Sequence, residues 1–432
     1  VGTDITADIT ADFGAGFGSD IAADFAADFG AGIGSGIAAD FGALGEEFTR
    51  NPHPVYAALR ARGPVHRVRV PEGAEAWLVV GHEACRSALT EPSLSKSWRD
   101  ASPGLPLARL SAGENLLSVN PPDHTRLRRL VVKEFTPRRV EALAPRVRAL
   151  TGELLDAMLA RPAGAADLVE ALAFPLAMGI ICELLGVPSL DRAAFRDWAE
   201  QALSSPDRSV RTAATEAMTR YLVAMADEMR ERPREDLMSA LIRATDEDGG
   251  RLSPDELIGM AWLLLVTGFE TTVQLISGGV LALLRHPDQL AALRADPSLA
   301  DGAVEEMLRY EGPVETTTYR FTTGPVEIAG TAVPGGGELV LVSLAGAGRD
   351  PARFPDPDRF DIRRSAGGHM AFGHGIHYCL GAPLARLQAR TALTALLARC
   401  PALSLDADPR DLAWRTGLLI RGPRRLPVRW RS

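Results

Sequence analysis

Phe372-Gly-His-Gly-Ile-His-Tyr-Cys379-Leu-Gly-Ala-Pro-Leu-Ala-Arg386 is the stretch on which the reading of this chain turns. Gly373, Gly375 and Gly381 punctuate a loop whose backbone needs positive φ or must approach a flat, bulky neighbour. Beyond Cys379 the apolar Leu380, Leu384 and Leu387 recur at helical spacing, so the loop runs straight into a helix. The cysteine therefore stands at a helix N-terminus, where free N–H groups and the macrodipole favour thiolate over thiol. A lone cysteine is more commonly a small buried hydrophobe. That reading leaves three glycines, an aromatic seven residues upstream and a histidine two before the cysteine without a reason.

The pattern F-G-x-G-x-H-x-C-x-G resembles the haem-binding loop of the cytochrome P450 family, and the similarity runs from about Glu46 to the end of the chain. It implies a mainly α fold with small β-sheets, one large domain (46–432) holding haem b between two long helices. Cys379 would be the iron ligand, Phe372 would pack near the sulfur and His377 would bond a haem propionate. Axial thiolate donation favours O–O bond cleavage. Gly268, Gly373 and Gly381 would lie against the haem.

Composition agrees with a protein that buries a full core: 46% of the 432 residues are apolar. Cys85, Cys182, Cys379 and Cys400 are scattered, with no CxxC pair or disulfide framework, which suits a reducing cytoplasm. Seven aspartates and no Lys or Arg lie in residues 1–45, so nearly all of the net charge of −8 sits there. The remainder is close to neutral and lacks the bulk charge of a nucleic-acid binder. The apolar run Leu257–Phe269 is shorter than the ~20 residues of a membrane span. A monomer without membrane attachment is expected.

Residues 1–45 are a repeat, with Ala11–Phe25 returning nearly unchanged as Ala27–Phe41 and ten glycines in all. Ile or Phe falls at every fourth position from Ile5 to Phe41. A four-residue step drifts by ~40° each time on a helix, so no sustained apolar face forms. A disordered or weakly helical tail ending at residue 45 is expected. Next, Val65–Val70 and Trp77–Val80 read as a hairpin around a turn beginning Pro71-Glu-Gly. His124 and Arg128 share one face of a basic helix; the resemblance makes them propionate ligands, with Arg320 as a third.

Asp255–Arg285 reads as one long helix behind a Ser253-Pro-Asp-Glu cap. Within it, Thr267-Gly-Phe-Glu-Thr-Thr272 sets hydroxyls three and four residues beyond Gly268. A capped glycine kink in a core helix would show the same residues. The segment is also similar to the family's oxygen-binding groove, with Glu270 and Thr271 as its catalytic acid–alcohol pair. Glu270 points about 100° from Thr271, better placed to relay protons from solvent than to touch bound oxygen. Phe269, where many relatives carry His, is expected to make the distal wall more apolar. Glu306 and Arg309 match the family's E-x-x-R motif, and Arg359 would complete that network. Gly348 stands where relatives commonly have Asn, with little effect expected.

The resemblance implies a monooxygenase that inserts one oxygen of O₂ into a C–H or C=C bond. No G-x-G-x-x-G fingerprint follows a strand, so electrons must come from outside. NAD(P)H through ferredoxin reductase and an acidic ferredoxin is expected, docked on Arg126, Arg128, Arg129, Lys133, Arg138 and Arg139. A peroxygenase has no need of the Glu270–Thr271 pair, and neither has a haem sensor. The substrate pocket is expected from Leu94, Trp98, Phe174, Leu265, Phe269, Val314, Leu418 and Leu419, apolar positions suited to a large hydrophobic ligand. Several stretches, Leu94-Ser-Lys-Ser-Trp98 among them, look like those of enzymes that tailor macrolide polyketides. Only Asp100 and Glu114 could meet an amino sugar from the 94–115 loop, which favours a macrolactone without one; a fatty acid, terpene or steroid is the alternative.

Overall fold

The computed structural model describes residues 36–107, 113–188, 192–205, 207–246 and 252–430. A six-stranded sheet lies on one side of a helical body. Its strands are β1 (Ala39–Asp40), β2 (Val65–Arg69), β3 (Glu75–Val79), β4 (Leu94–Ser95), β5 (Arg320–Thr322) and β6 (Leu339–Val342). Their order is β1-β2-β3-β6-β5-β4. The expected hairpin is β2 and β3, paired antiparallel from Val65↔Val79 to Arg69↔Glu75. β6 (Leu-Val-Leu-Val) is buried along its whole length, as a strand covered on both faces must be.

β1 corrects the expected domain boundary. Ala39 and Asp40 pair in parallel with Val68 and Arg69. Phe41 is 4% exposed and its ring centroid lies 5.1 Å from that of Phe48. The folded body thus takes in the end of the repeat, where Phe41 finds an apolar partner in the helix that follows. Residues 1–35, the rest of the expected tail, lie outside the described residues. Phe41→Ala is expected to cost about 3 kcal/mol, read as a lowered melting temperature by calorimetry.

Five helices position the site: α1 (Asp123–Val131), α2 (Phe174–Leu185), α3 (Pro254–Arg285), α4 (Ala300–Tyr310) and α5 (Ala382–Arg399). α3 is 32 residues long and opens on a capping box, with Ser253 Oγ accepting from Glu256 N–H and the Glu256 carboxylate accepting from Ser253 N–H. By length and composition it could cross a membrane, yet 83% of its apolar window is buried in the protein; it is the core helix. α2 crosses it closely: a Cβ at Gly268 would stand 2.6 Å from Ile181 Cγ1.

Beneath α5, Glu306 and Arg309 of α4 are fully buried and bonded in a two-pronged pair at 2.7 and 2.8 Å. Arg309 also donates to the carbonyls of Gly348, Pro357 and Arg359, and Glu306 accepts from Asp361 N–H. The Arg359 side chain is not the third member. It is 65% exposed and faces Asp361, because the turn at Asp356–Arg359 aims its carbonyl inward instead. Arg364 takes the place, its Nε 3.4 Å from Glu306 Oε1. Gly348 is also less neutral than expected, since a Cβ there would lie 2.5 Å from the Arg309 carbonyl oxygen.

Candidate active site

The cysteine loop folds as the glycines suggest. Gly373 and Gly375 have φ of 72° and 73°, and Cys379 N–H donates to the Phe372 carbonyl at 3.0 Å. Arg386, one turn into α5, caps the Phe372 ring at 4.6 Å and is anchored by Glu305 at 2.6 Å. Cys379 is open to a cavity between α3 and α5. Its sulfur faces the N–H groups of Gly381 and Ala382, which lower the thiol pKa, but burial outweighs them and the net shift is upward. The helix N-terminus favours the thiolate in the expected direction, against the cost of burial. Gly381 leaves space beside the sulfur, with Cys379 Sγ 3.8 Å away as the nearest contact of an added Cβ.

One side of the cavity is basic. Lys96, His124, Arg128, Arg320 and His377 all line it, and no carboxylate does among the lining residues. Burial pushes the Arg320 guanidinium down to about 10. Burial, with Lys96, His124 and Arg320 nearby, pushes His377 down to about 2. The His124 and His377 rings lie 4.3 Å apart, and His377 Nδ1 contacts the Leu116 carbonyl oxygen at 3.0 Å. His124 Nε2 and Arg320 Nε are buried without a hydrogen-bond partner. Two arginines and unpartnered ring and guanidinium N–H donors buried together call for an anion. A haem fits: its propionates would meet this basic wall, its face would lie along Gly373 and Gly381, and its iron would take the Cys379 sulfur.

Lys96 was missed from sequence. It is 3% exposed and donates to the carbonyls of Thr318 and Tyr319 at 3.0 and 2.7 Å. The one available signal was a lysine flanked by Ser95 and Ser97, between Leu94 and Trp98.

Across the cavity, α3 presents Leu264, Gly268, Thr271 and Leu275 at steps of four, three and four residues, one face of the helix. Thr271 Oγ1 donates to the Thr267 carbonyl at 2.9 Å, Thr272 to Gly268 at 3.3 Å and Thr267 to Leu263 at 2.7 Å. Each hydroxyl proton is thus turned back into the helix, and each oxygen is left as an acceptor. Leu265 and Phe269 lie one residue on, about 100° round. Both are buried away from the cavity, Phe269 edge-on to Phe174 at 5.8 Å. These three do not form the pocket, and Phe269 does not set the character of the distal wall. Leu94 is hydrogen-bonded into β4, Trp98 packs on Tyr319 and Phe321, and Leu418 faces a smaller neighbouring chamber. Val314 and Leu419 do line the cavity, with Leu263, Pro313, Thr317 and Ile420. Positions 108–112 of the loop considered for the pocket lie outside the described residues.

Glu270 does point away from Thr271, as expected. It is 4% exposed, paired with Arg415 at 2.8 Å and bonded by Gln274 Nε2 at 3.2 Å.

Comparison with known proteins agrees with this geometry. The family model described as Cytochrome P450 matches residues 208–425. The chain is 57% identical to cytochrome P450 monooxygenase PikC of Streptomyces venezuelae over 390 residues, 90% of this chain and 94% of that one. The chain belongs to the cytochrome P450 family. 6-Deoxyerythronolide B hydroxylase of Saccharopolyspora erythraea is 46% identical over 387 residues, covering 87% and 95% of the two chains. The solved structure of the tirandamycin C-bound P450 monooxygenase TamI superposes with a TM-score of 0.82 at 45% identity, covering 89% and 98%. As a P450 monooxygenase, the protein uses haem ligated through cysteine. When bound, that group supplies dioxygen activation; the chain orients the substrate, excludes water and moves protons.

Proposed function

We propose that this P450 hydroxylates or epoxidises a macrolactone of polyketide origin that carries no amino sugar. One observation carries the reading: beyond the basic wall, the cavity over Cys379 is lined by Leu, Val, Ile and Pro with a few threonines and no carboxylate. Such a lining suits a large apolar ring fixed by few polar contacts. Asp100 and Glu114, the acids available to an amino sugar, are engaged by Ser95 and Arg99 and do not line the cavity. The substrates named for PikC's relative from Saccharopolyspora erythraea and for TamI support the polyketide class.

Electrons would come from NAD(P)H through ferredoxin reductase and an acidic ferredoxin. The docking surface is smaller than the six basic residues expected for it. Arg126 bridges to Glu256 and Asp123, Arg128 turns to the Tyr378 carbonyl beside the cavity, and Arg139 pairs with Glu134. Arg129, Lys133 and Arg138 remain as exposed charges for steering a partner.

Titration with 6-deoxyerythronolide B tests the substrate class. The haem spectrum should shift from low to high spin at micromolar ligand; a shift with a fatty acid, terpene or steroid and none with any macrolactone would overturn the class and leave the oxygen chemistry standing. Thr271→Ala should keep haem but lower product per NADPH about tenfold or more, with peroxide released instead. Full coupling in that variant would remove Thr271 from proton handling.

A further inference from the structure

The buried Glu270–Arg415 pair stands outside the substrate cavity, at the inner end of a second chamber. That chamber has a volume of about 100 Å³, enough for several waters, and its lining runs from the exposed Glu72 to Glu270. Thr317, Thr318, Leu419 and Ile420 line both spaces, so the wall between them is one residue thick. Thr317 Oγ1 is buried in this wall without a hydrogen-bond partner. A polar group sealed in that way is costly unless a water or a neighbour meets it. Arg415 and the two wall residues Leu419 and Ile420 belong to one short segment, 415–420, held to the strand-like run at Thr316 through the Leu418 carbonyl at 2.9 Å.

We propose that Arg415 is a positioning residue: it fixes the Glu270 carboxylate at the end of a water-filled chamber through which protons enter, separately from the substrate. The reaction takes a substrate C–H bond, O₂, two electrons from an external one-electron donor and two protons, and returns an alcohol and one water. Those protons need a route that a large ligand does not block. The chamber provides it, with Glu270 receiving a proton from chamber water and passing it across the Thr317 wall toward Thr271. Because segment 415–420 also lines the substrate cavity through Leu419 and Ile420, its placement would link a filled cavity to an aligned carboxylate.

The proposal rests on Glu270 being the proton relay, and the variants separate the two ideas. In Arg415→Gln the carboxyl loses its guanidinium partner in a buried site and takes up a proton. An infrared carbonyl band of a protonated carboxylic acid should appear, and vanish in the Glu270→Gln/Arg415→Gln double variant. Product per NADPH should fall about tenfold, with an enlarged solvent isotope effect on product formation; Arg415→Lys should restore most of both. If Arg415 acts only through Glu270, the double variant should match Glu270→Gln alone. That comparison also serves should Arg415→Gln not fold, since the double variant buries no charge. Unchanged infrared and isotope effects in Arg415→Gln, beside clear changes in Glu270→Gln, would overturn the role of Arg415. An added loss in the double variant over Glu270→Gln would do the same. No effect in Glu270→Gln would overturn the relay itself.

Discussion

Cys379→Ser should abolish the thiolate-type absorption of the reduced carbon monoxide complex and lower turnover by several orders of magnitude. The sulfur stands open to the cavity with Gly381 and Ala382 N–H groups aimed at it. Those bonds partly offset burial, and a bound haem iron would favour the thiolate further. A serine hydroxyl at the same place is a far weaker acid and a poorer electron donor. Cys85, Cys182 and Cys400 are buried away from the cavity, so none can substitute. An unchanged spectrum in this variant would move the ligand elsewhere.

Glu306→Ala should cost the fold 3–5 kcal/mol, on the order expected when one partner of a buried ion pair is removed. Arg309 would keep its three carbonyl partners but lose both prongs of its carboxylate, and Asp361 N–H would lose its acceptor. The segment from Gly348 to Asp361 is held in part through these contacts, beside those of Arg349 with Tyr310 and Asp358, and the cysteine loop follows it in the chain. Calorimetry should show the lowered melting temperature, with haem lost at a lower temperature than in the wild type. Arg364→Ala should follow in the same direction with a smaller effect, and Arg359→Ala should change stability little, since its side chain is mostly exposed. Equal losses at 359 and 364 would contradict the network seen here.

Much of this site is legible in local sequence patterns. The glycine-spaced cysteine loop, the capping box before α3 and the Glu306–Arg309 spacing each sit within a few residues, so sequence displays them directly. What sequence hid depends on which way a side chain turns. Arg359 and Arg364 are five residues apart, and only the turn at Asp356 decides which one reaches Glu306. Phe269 and Gly268 are adjacent, and the packing of α2 decides which faces the cavity. Lys96 and Arg415 acquire meaning only through partners hundreds of residues, or more than a hundred, away in the chain. The end of the N-terminal repeat misled for a similar reason: Phe41 looks like every other member until Phe48 and Tyr56 are placed against it.

Insertion of one atom of O₂ into a macrolactone by Cys379-ligated haem is the reaction proposed for this cavity. It is tested most directly by turnover of 6-deoxyerythronolide B under isotopically heavy dioxygen, with NADPH and a surrogate ferredoxin system. The product should gain a single heavy oxygen, at a carbon or across a double bond, while the second appears in water. A product whose new oxygen comes from solvent would contradict the monooxygenation, and so would consumption of NADPH with no labelled macrolactone, provided the ligand binds.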